Sequence, residues 1–151
     1  MLTLGTLFAL ILIGHLIGDY FVQTEYQATT KKFPCIEGHL ACAIHCLTYS
    51  CTVVATIMIL GKWLCDIDIN FYQQLAAFGL VYLSHYPFDR TNIIGKLMAL
   101  KGLIRPPVLD MKNSTSPKDI LDVTKYFVVY VVADNTAHLF FMTLFLGFLL
   151  L

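Results

Sequence analysis

Residues 2–22 read LTLGTLFALILIGHLIGDYFV, a run without Lys, Arg or Glu and with one acidic residue, Asp19. A membrane-spanning helix needs about 20 mainly apolar residues, so this run is long enough to cross a bilayer. A cleaved signal peptide would open with a basic residue and stay apolar to a small-residue cleavage site. No Lys or Arg precedes this run, and His15 and Asp19 interrupt it, so it reads as a retained helix.

Three further segments have the same character: 40–60, 71–88 and 127–151. The third is the weakest, because Gln73 and Gln74 dilute its start and Pro87 disturbs its end. The whole chain agrees. Of its 151 residues 58% are hydrophobic and 13% charged, and the mean hydropathy is +0.72. So little polar surface cannot cover a globule in water, and lipid must be part of the solvent. The expectation is an all-α, integral membrane four-helix bundle forming a single domain over 1–151. Ten basic and ten acidic residues give no net charge, which excludes bulk attraction to nucleic acid. The five cysteines (Cys35, Cys42, Cys46, Cys51 and Cys65) form no C-x-x-C pair, and no disulfide framework is indicated.

The connections set the expected orientation. Lys31 and Lys32 lie in the first; Arg90, Lys96, Lys101, Arg105, Lys112, Lys118 and Lys125 lie in the third. These two connections share one side of a four-span protein and hold nine of the ten basic residues. The positive-inside rule places them in the cytoplasm and both termini outside. Within the third connection, Ile93, Ile94, Leu97, Met98, Leu100, Leu103 and Ile104 alternate with Lys96 and Lys101, as in an amphipathic helix lying on the membrane surface. Pro106-Pro107 ends it. Ser116-Pro117-Lys118-Asp119 then reads as an N-cap, a proline at the first helical position and an acid in the first turn.

Ionisable residues inside the apolar segments carry the functional signal. His15 and Asp19, His85 and Asp89, and Asp134 and His138 are each four residues apart, so each pair shares a helix face. Random placement of these residue types would give about half such a pair in this length. All three pairs, with His45, fall toward the cytoplasmic ends of their segments, so one cluster is the economical arrangement. Charged groups within a bilayer cost several kcal/mol and normally face the bundle interior with partners. Hydrogen-bonded glue between helices is the plain alternative for any single pair.

Imidazole and carboxylate together suit Zn²⁺, Mn²⁺ or Fe²⁺. The expected ligand set is His15, Asp19, His45, His85, Asp89, Asp134 and His138, with Asp19, Asp89 and Asp134 as the residues from which a general base is drawn. His39, Cys42 and Cys46 can share a helix face as a softer zinc site, though packing accounts for them more simply. Tyr49, one turn after His45, lines the pocket or the core. Gln23, one turn after Asp19, orients it or anchors the helix end. There is no H-E-x-x-H and no set of histidine-rich boxes.

The run 15–23, HLIGDYFVQ, resembles the H-L-x-G-D-F-x-x-Q signature of a family of small bacterial and phage membrane proteins of unknown function. His45 with Tyr49, His85 with Asp89, and the run Asp134-Asn135-Thr136-Ala137-His138 are similar to later elements of that family, in order. Tyr20 stands in place of a phenylalanine, Asn135 in place of a glutamine, and Asn92 where a lysine is expected. The resemblance implies a bacterial inner-membrane protein, with a distant likeness to membrane-bound metal-dependent hydrolases.

The resulting expectation is a membrane-embedded, metal-dependent hydrolase with its site in the cytoplasmic half of the bilayer. It acts on a phosphoester or acyl bond of a lipid-like or nucleotide-like substrate, with membrane lipids as neighbours and a homo-oligomer compatible with its size. The rival is a non-enzymatic membrane protein, either an ion-binding carrier or a partner-binding protein. The orientation is open to direct measurement. In intact cells, single cysteines in the first and third connections of a cysteine-free variant resist an impermeant thiol reagent, and one at Asp66 reacts. The opposite labelling would put the basic connections outside.

Overall fold

The computed structural model describes residues 2–100 and 117–151, the side chains of the latter from 120 onward. The described chain is helical. Helix α1 (Leu4–Ile17) continues into a π turn (Gly18–Val22) and is followed by α2 (Glu25–Thr30), α3 (Ile36–Cys65), α4 (Phe71–Arg90), α5 (Ile93–Leu100) and α6 (Pro117–Leu150). Three stretches are long and apolar enough to cross a membrane: Leu4–Val22, Ile36–Cys65 and Ile120–Leu150. The expected third span forms α4, but that helix does not reach the same apolarity. Besides its glutamines it carries Ser84, His85, Asp89 and Arg90.

The helix ends follow local chemistry. Thr3 caps α1, its hydroxyl accepting from the Thr6 amide at 3.2 Å. Asn70 and Gln73 form a reciprocal capping box on α4, both bonds 3.0 Å long. Gln73 therefore starts a helix where the sequence suggested only a weakened span. Pro87 leaves α4 intact as far as Arg90. Asp66 ends α3 in the left-handed region, φ 51°. The Lys62 ammonium 2.9 Å away holds the exposed Asp66 carboxyl below the usual carboxylate range. At α6 the helix opens on Pro117, as its rigid φ favours. The expected cap at Ser116, the Pro106-Pro107 stop, and Leu103 and Ile104 of the surface helix lie outside the described residues.

Two units make up the chain. The second, Asn92–Ala137, holds α5 and the first part of α6. In α5, Ile94 and Met98 are buried while Leu97 and Leu100 are exposed, one apolar side turned inward at helical spacing. Asn92, at the departure from the family pattern, packs its amide over Gly95, where a Cβ would collide with it.

The first unit, Met1–Thr91 with His138–Leu151, contains the main core. Its buried positions repeat every three or four residues. They are Leu7, Ile11 and His15 on α1; Ile57, Val53, Tyr49 and His45 on α3; Ala77, Val81, His85 and Asp89 on α4; and Leu146, Met142 and His138 on α6. Each stripe is apolar along most of its length and ends in histidine or aspartate. Stacked in one core, the stripes bring their polar ends together.

Close approach of α1 to α3 makes this geometry. A Cβ on Gly14 would stand 2.9 Å from the Val53 backbone, and one on Gly18 would stand 2.6 Å from the Tyr49 ring. Gly14→Ala therefore forces the helices apart and lowers stability in detergent by about 1–3 kcal/mol, the usual cost of overpacking. Gly79→Ala, whose Cβ meets nothing within 4 Å, leaves the thermal midpoint at or slightly above wild type. Equal midpoints for the two variants would contradict this packing.

Candidate metal centre

At the polar end of the first unit's core, His15, His45 and His85 are fully buried and Asp89 and His138 are 4% and 2% exposed. Asp19 is the more open carboxylate, its side chain 17% exposed. It enters from the π turn, in which the Gln23 amide bonds back five residues to the Gly18 carbonyl at 3.2 Å. Such turns re-aim side chains and recur at functional sites.

The imidazoles of His45 and His85 meet tip to tip, Nε2 to Nε2 at 3.2 Å. Both face Asp19 Oδ1, at 3.2 Å from His45 and 3.6 Å from His85. Both also face Asp89 Oδ2, at 2.9 Å and 3.3 Å. Each carboxylate turns its other oxygen to a further histidine. Asp19 Oδ2 lies 3.5 Å from His15 Nδ1, and Asp89 Oδ1 lies 3.9 Å from His138 Nε2. Six of the seven residues expected from sequence are thus brought together; the seventh, Asp134, belongs to the second unit.

Tyr49 is the hub of the packing. Its hydroxyl is 2.7 Å from His15 Nδ1 and donates to Met142 Sδ at 3.3 Å. The Tyr49 ring also stacks on His85, centroids 3.7 Å apart and planes 16° apart. The outer Nδ1 atoms of His45 and His85 have no hydrogen-bond partner among the described residues. Metal-binding histidines usually take their orientation from a bond at that atom; here stacking on Tyr49 orients His85.

One residue of the centre has no signature in the sequence. Lys31, at the end of α2, reaches Asp89 Oδ2 at 2.8 Å. Arg90 Nη1 pins the Lys31 carbonyl at 3.1 Å. Arg90 Nε and the Tyr86 hydroxyl converge on His39 Nδ1, at 3.2 and 3.1 Å. His39 is therefore engaged with Tyr86 and Arg90, while Cys42 and Cys46 pair in the interior, sulfurs 4.0 Å apart. The softer zinc site does not form among the described residues. Of the two readings of Gln23, its place at the close of the π turn agrees with an anchor of the helix end. Its side-chain nitrogen is buried and has no hydrogen-bond partner among the described residues, and its backbone amide closes the π turn.

The donor set fits a first-row divalent cation. Four donors held tetrahedrally about 2.0–2.1 Å from zinc stand about 3.4 Å from one another. The triangle of Asp19 Oδ1, His45 Nε2 and His85 Nε2 has sides of 3.2, 3.6 and 3.2 Å. Asp19 Oδ1 is buried and accepts no hydrogen bond of suitable geometry among the described residues, so it is aimed at the imidazoles without being satisfied by them. A second set, His85, Asp89 and His138, also gathers one donor atom per residue within 4.8 Å.

Membrane-length helices closing over a buried histidine–aspartate cluster define a small all-α protein with a polar centre at one end of its core. The chain belongs to the family described as Protein of unknown function (DUF3307), whose model matches residues 7–150. No curated protein and no solved structure matches it.

Tyr49→Phe isolates the role of the hydroxyl. It keeps the ring stacking and takes a partner from His15, at a cost of about 1–3 kcal/mol for the buried group left short of a bond. The thermal midpoint in detergent measures the loss. A midpoint equal to wild type would show that Tyr49 contributes packing alone.

Proposed function

We propose that this protein is a membrane-embedded, metal-dependent hydrolase whose centre is the convergence of Asp19, His45, His85 and Asp89. The observation that carries the reading is the pair of imidazole nitrogens, 3.2 Å apart, turned on two carboxylates. Uncompensated burial of these groups is expensive, and apolar residues of like volume would build a core at lower cost. A dication at the shared point would give Asp19 Oδ1 and the two imidazole nitrogens a common partner.

Asp19, His45 and His85 would hold zinc, manganese or iron, in keeping with mixed nitrogen and oxygen donors. A bound dication lowers the pKa of its water toward neutrality and so supplies a nucleophile. Asp89, beside the triangle, would take the proton from that water and return it to the leaving oxygen as the ester bond breaks. Asp19, the more exposed carboxylate, lies on the side from which substrate reaches the centre.

An open groove of about 500 Å³ runs between α3 and α4, lined by Ile36, Leu40, Ala43, Tyr82, Leu83 and Pro87, with His39 and Tyr86 on its wall. It accommodates an acyl chain, while Arg90, bound to His39, stands where an anionic headgroup would lie. These features favour an amphiphile, with a phosphoester or acyl bond as the target. In this reading α4 is the fourth span, although the least apolar; its ionisable face is covered by the other helices. The basic connections lie in the cytoplasm, and α5 rests on the membrane surface.

Purified wild-type protein is expected to carry a divalent transition metal, with occupancy reduced tenfold or more in a folded, monodisperse Asp19→Ala variant. Metal-loaded protein in vesicles should convert one member of a phospholipid and nucleotide panel, with products read by mass spectrometry, and Asp19→Ala should not. Identical product profiles with metal bound would favour a non-enzymatic ion carrier. Wild type that takes up no Zn²⁺ or Mn²⁺ would leave the cluster as hydrogen-bonded glue.

A further inference from the structure

The two donor triads share His85, whose Nε2 faces both Asp19 Oδ1 at 3.6 Å and Asp89 Oδ2 at 3.3 Å. An imidazole nitrogen has a single in-plane lone pair, so His85 Nε2 can serve only one ion. Once an ion takes Asp19, His45 and His85, a second is left with Asp89 and His138. Asp89 is already engaged by a cation, the Lys31 ammonium 2.8 Å from its Oδ2.

The placement of Lys31 is built into the fold. Thr24 and Gln27 form a capping box that starts α2, and the Lys31 amide closes that helix on the Gln27 carbonyl at 3.0 Å. Gly38 lets the following turn lie against the first turn of α3. A Cβ there would stand 3.1 Å from the Thr30 carbonyl oxygen and closer still to that of Phe33. Arg90, next to Asp89 in sequence, fixes the Lys31 carbonyl. The Lys31 side chain is 12% exposed, so its ammonium has given up most of its water for one carboxylate. That exchange is unfavourable unless the charge has a defined partner.

We propose that Lys31 fills the second cation position of this centre, so that the centre takes one divalent ion, on Asp19, His45 and His85. The proposal rests on the metal reading above and refines it. Charge supports it. Two carboxylates face one dication and one ammonium, leaving a single excess positive charge for an anionic substrate group. A second dication would add two like charges a few ångströms from the first in a poorly screened interior. Lys31 also holds Asp89 in place beside the triangle, which makes it a positioning residue.

The test is Zn²⁺ binding to the full-length protein in mild detergent, by elemental analysis and titration calorimetry. Wild type is expected to bind one Zn²⁺ per chain. Lys31→Arg, which keeps the charge, binds one with affinity within about threefold of wild type. Lys31→Met removes the competing charge and binds its first Zn²⁺ at least tenfold more tightly. Lys31→Gln, which keeps a donor for Asp89, shows the same direction and serves if the methionine variant does not fold. Two Zn²⁺ per wild-type chain, or neutral variants that bind no tighter than wild type, overturn the role of Lys31 and leave the metal centre standing. No Zn²⁺ binding by wild type or any variant overturns both.

Discussion

Two carboxylates and four histidines occupy one end of an otherwise apolar core, and their mutual compensation is the constraint on which the rest depends. Asp89, 4% exposed, cannot keep its charge there without cations or donors at hydrogen-bond distance. The surrounding structure supplies them from separate parts of the chain: His45 on α3, His85 on its own helix and Lys31 at the end of α2. Removing any one would leave the others with buried, unpaired capacity. The interhelical packing, the π turn and the glycine contacts all serve to hold that arrangement.

The core is organised to deliver this end group. Apolar residues one helical turn apart run along α1, α3, α4 and the last part of α6, and each stripe ends in an ionisable residue. Gly14 and Gly18 bring α1 against α3 closely enough for His15 to meet Tyr49. Tyr49 then ties three elements together through His15, His85 and Met142. With lipid as solvent, close van der Waals packing drives the stacking of the stripes, and the polar contacts between helices fix their register.

Much of the site was legible in the sequence because helical periodicity is local. A four-residue spacing of histidine and aspartate puts the two groups on one face wherever the helix lies, and the candidates of the first unit lie together at one end of its core. The residues that escaped depend on tertiary contact. Lys31 is 58 residues from Asp89, on a short helix that no apolar pattern marks. The π turn that Gln23 closes is invisible to a fixed 3.6-residue period. Gln73 was read as a flaw in a span when it closes a capping box. Of the four expected spans, three have the length and composition to cross a membrane. Residues 71–88 lie in α4, whose His85 and Asp89 belong to the cluster.

The central claim is that Asp19, His45 and His85 together hold a divalent metal. X-ray absorption spectroscopy at the zinc edge, on Zn²⁺-loaded protein in detergent, addresses it most directly. The account predicts a first shell of nitrogen and oxygen at about 2.0–2.1 Å, with outer-shell scattering from two imidazole rings that falls by one ring in His45→Ala. A sulfur shell at about 2.3 Å, the zinc–thiolate distance, would move the ion to the cysteines. Absence of imidazole scattering would contradict the account outright.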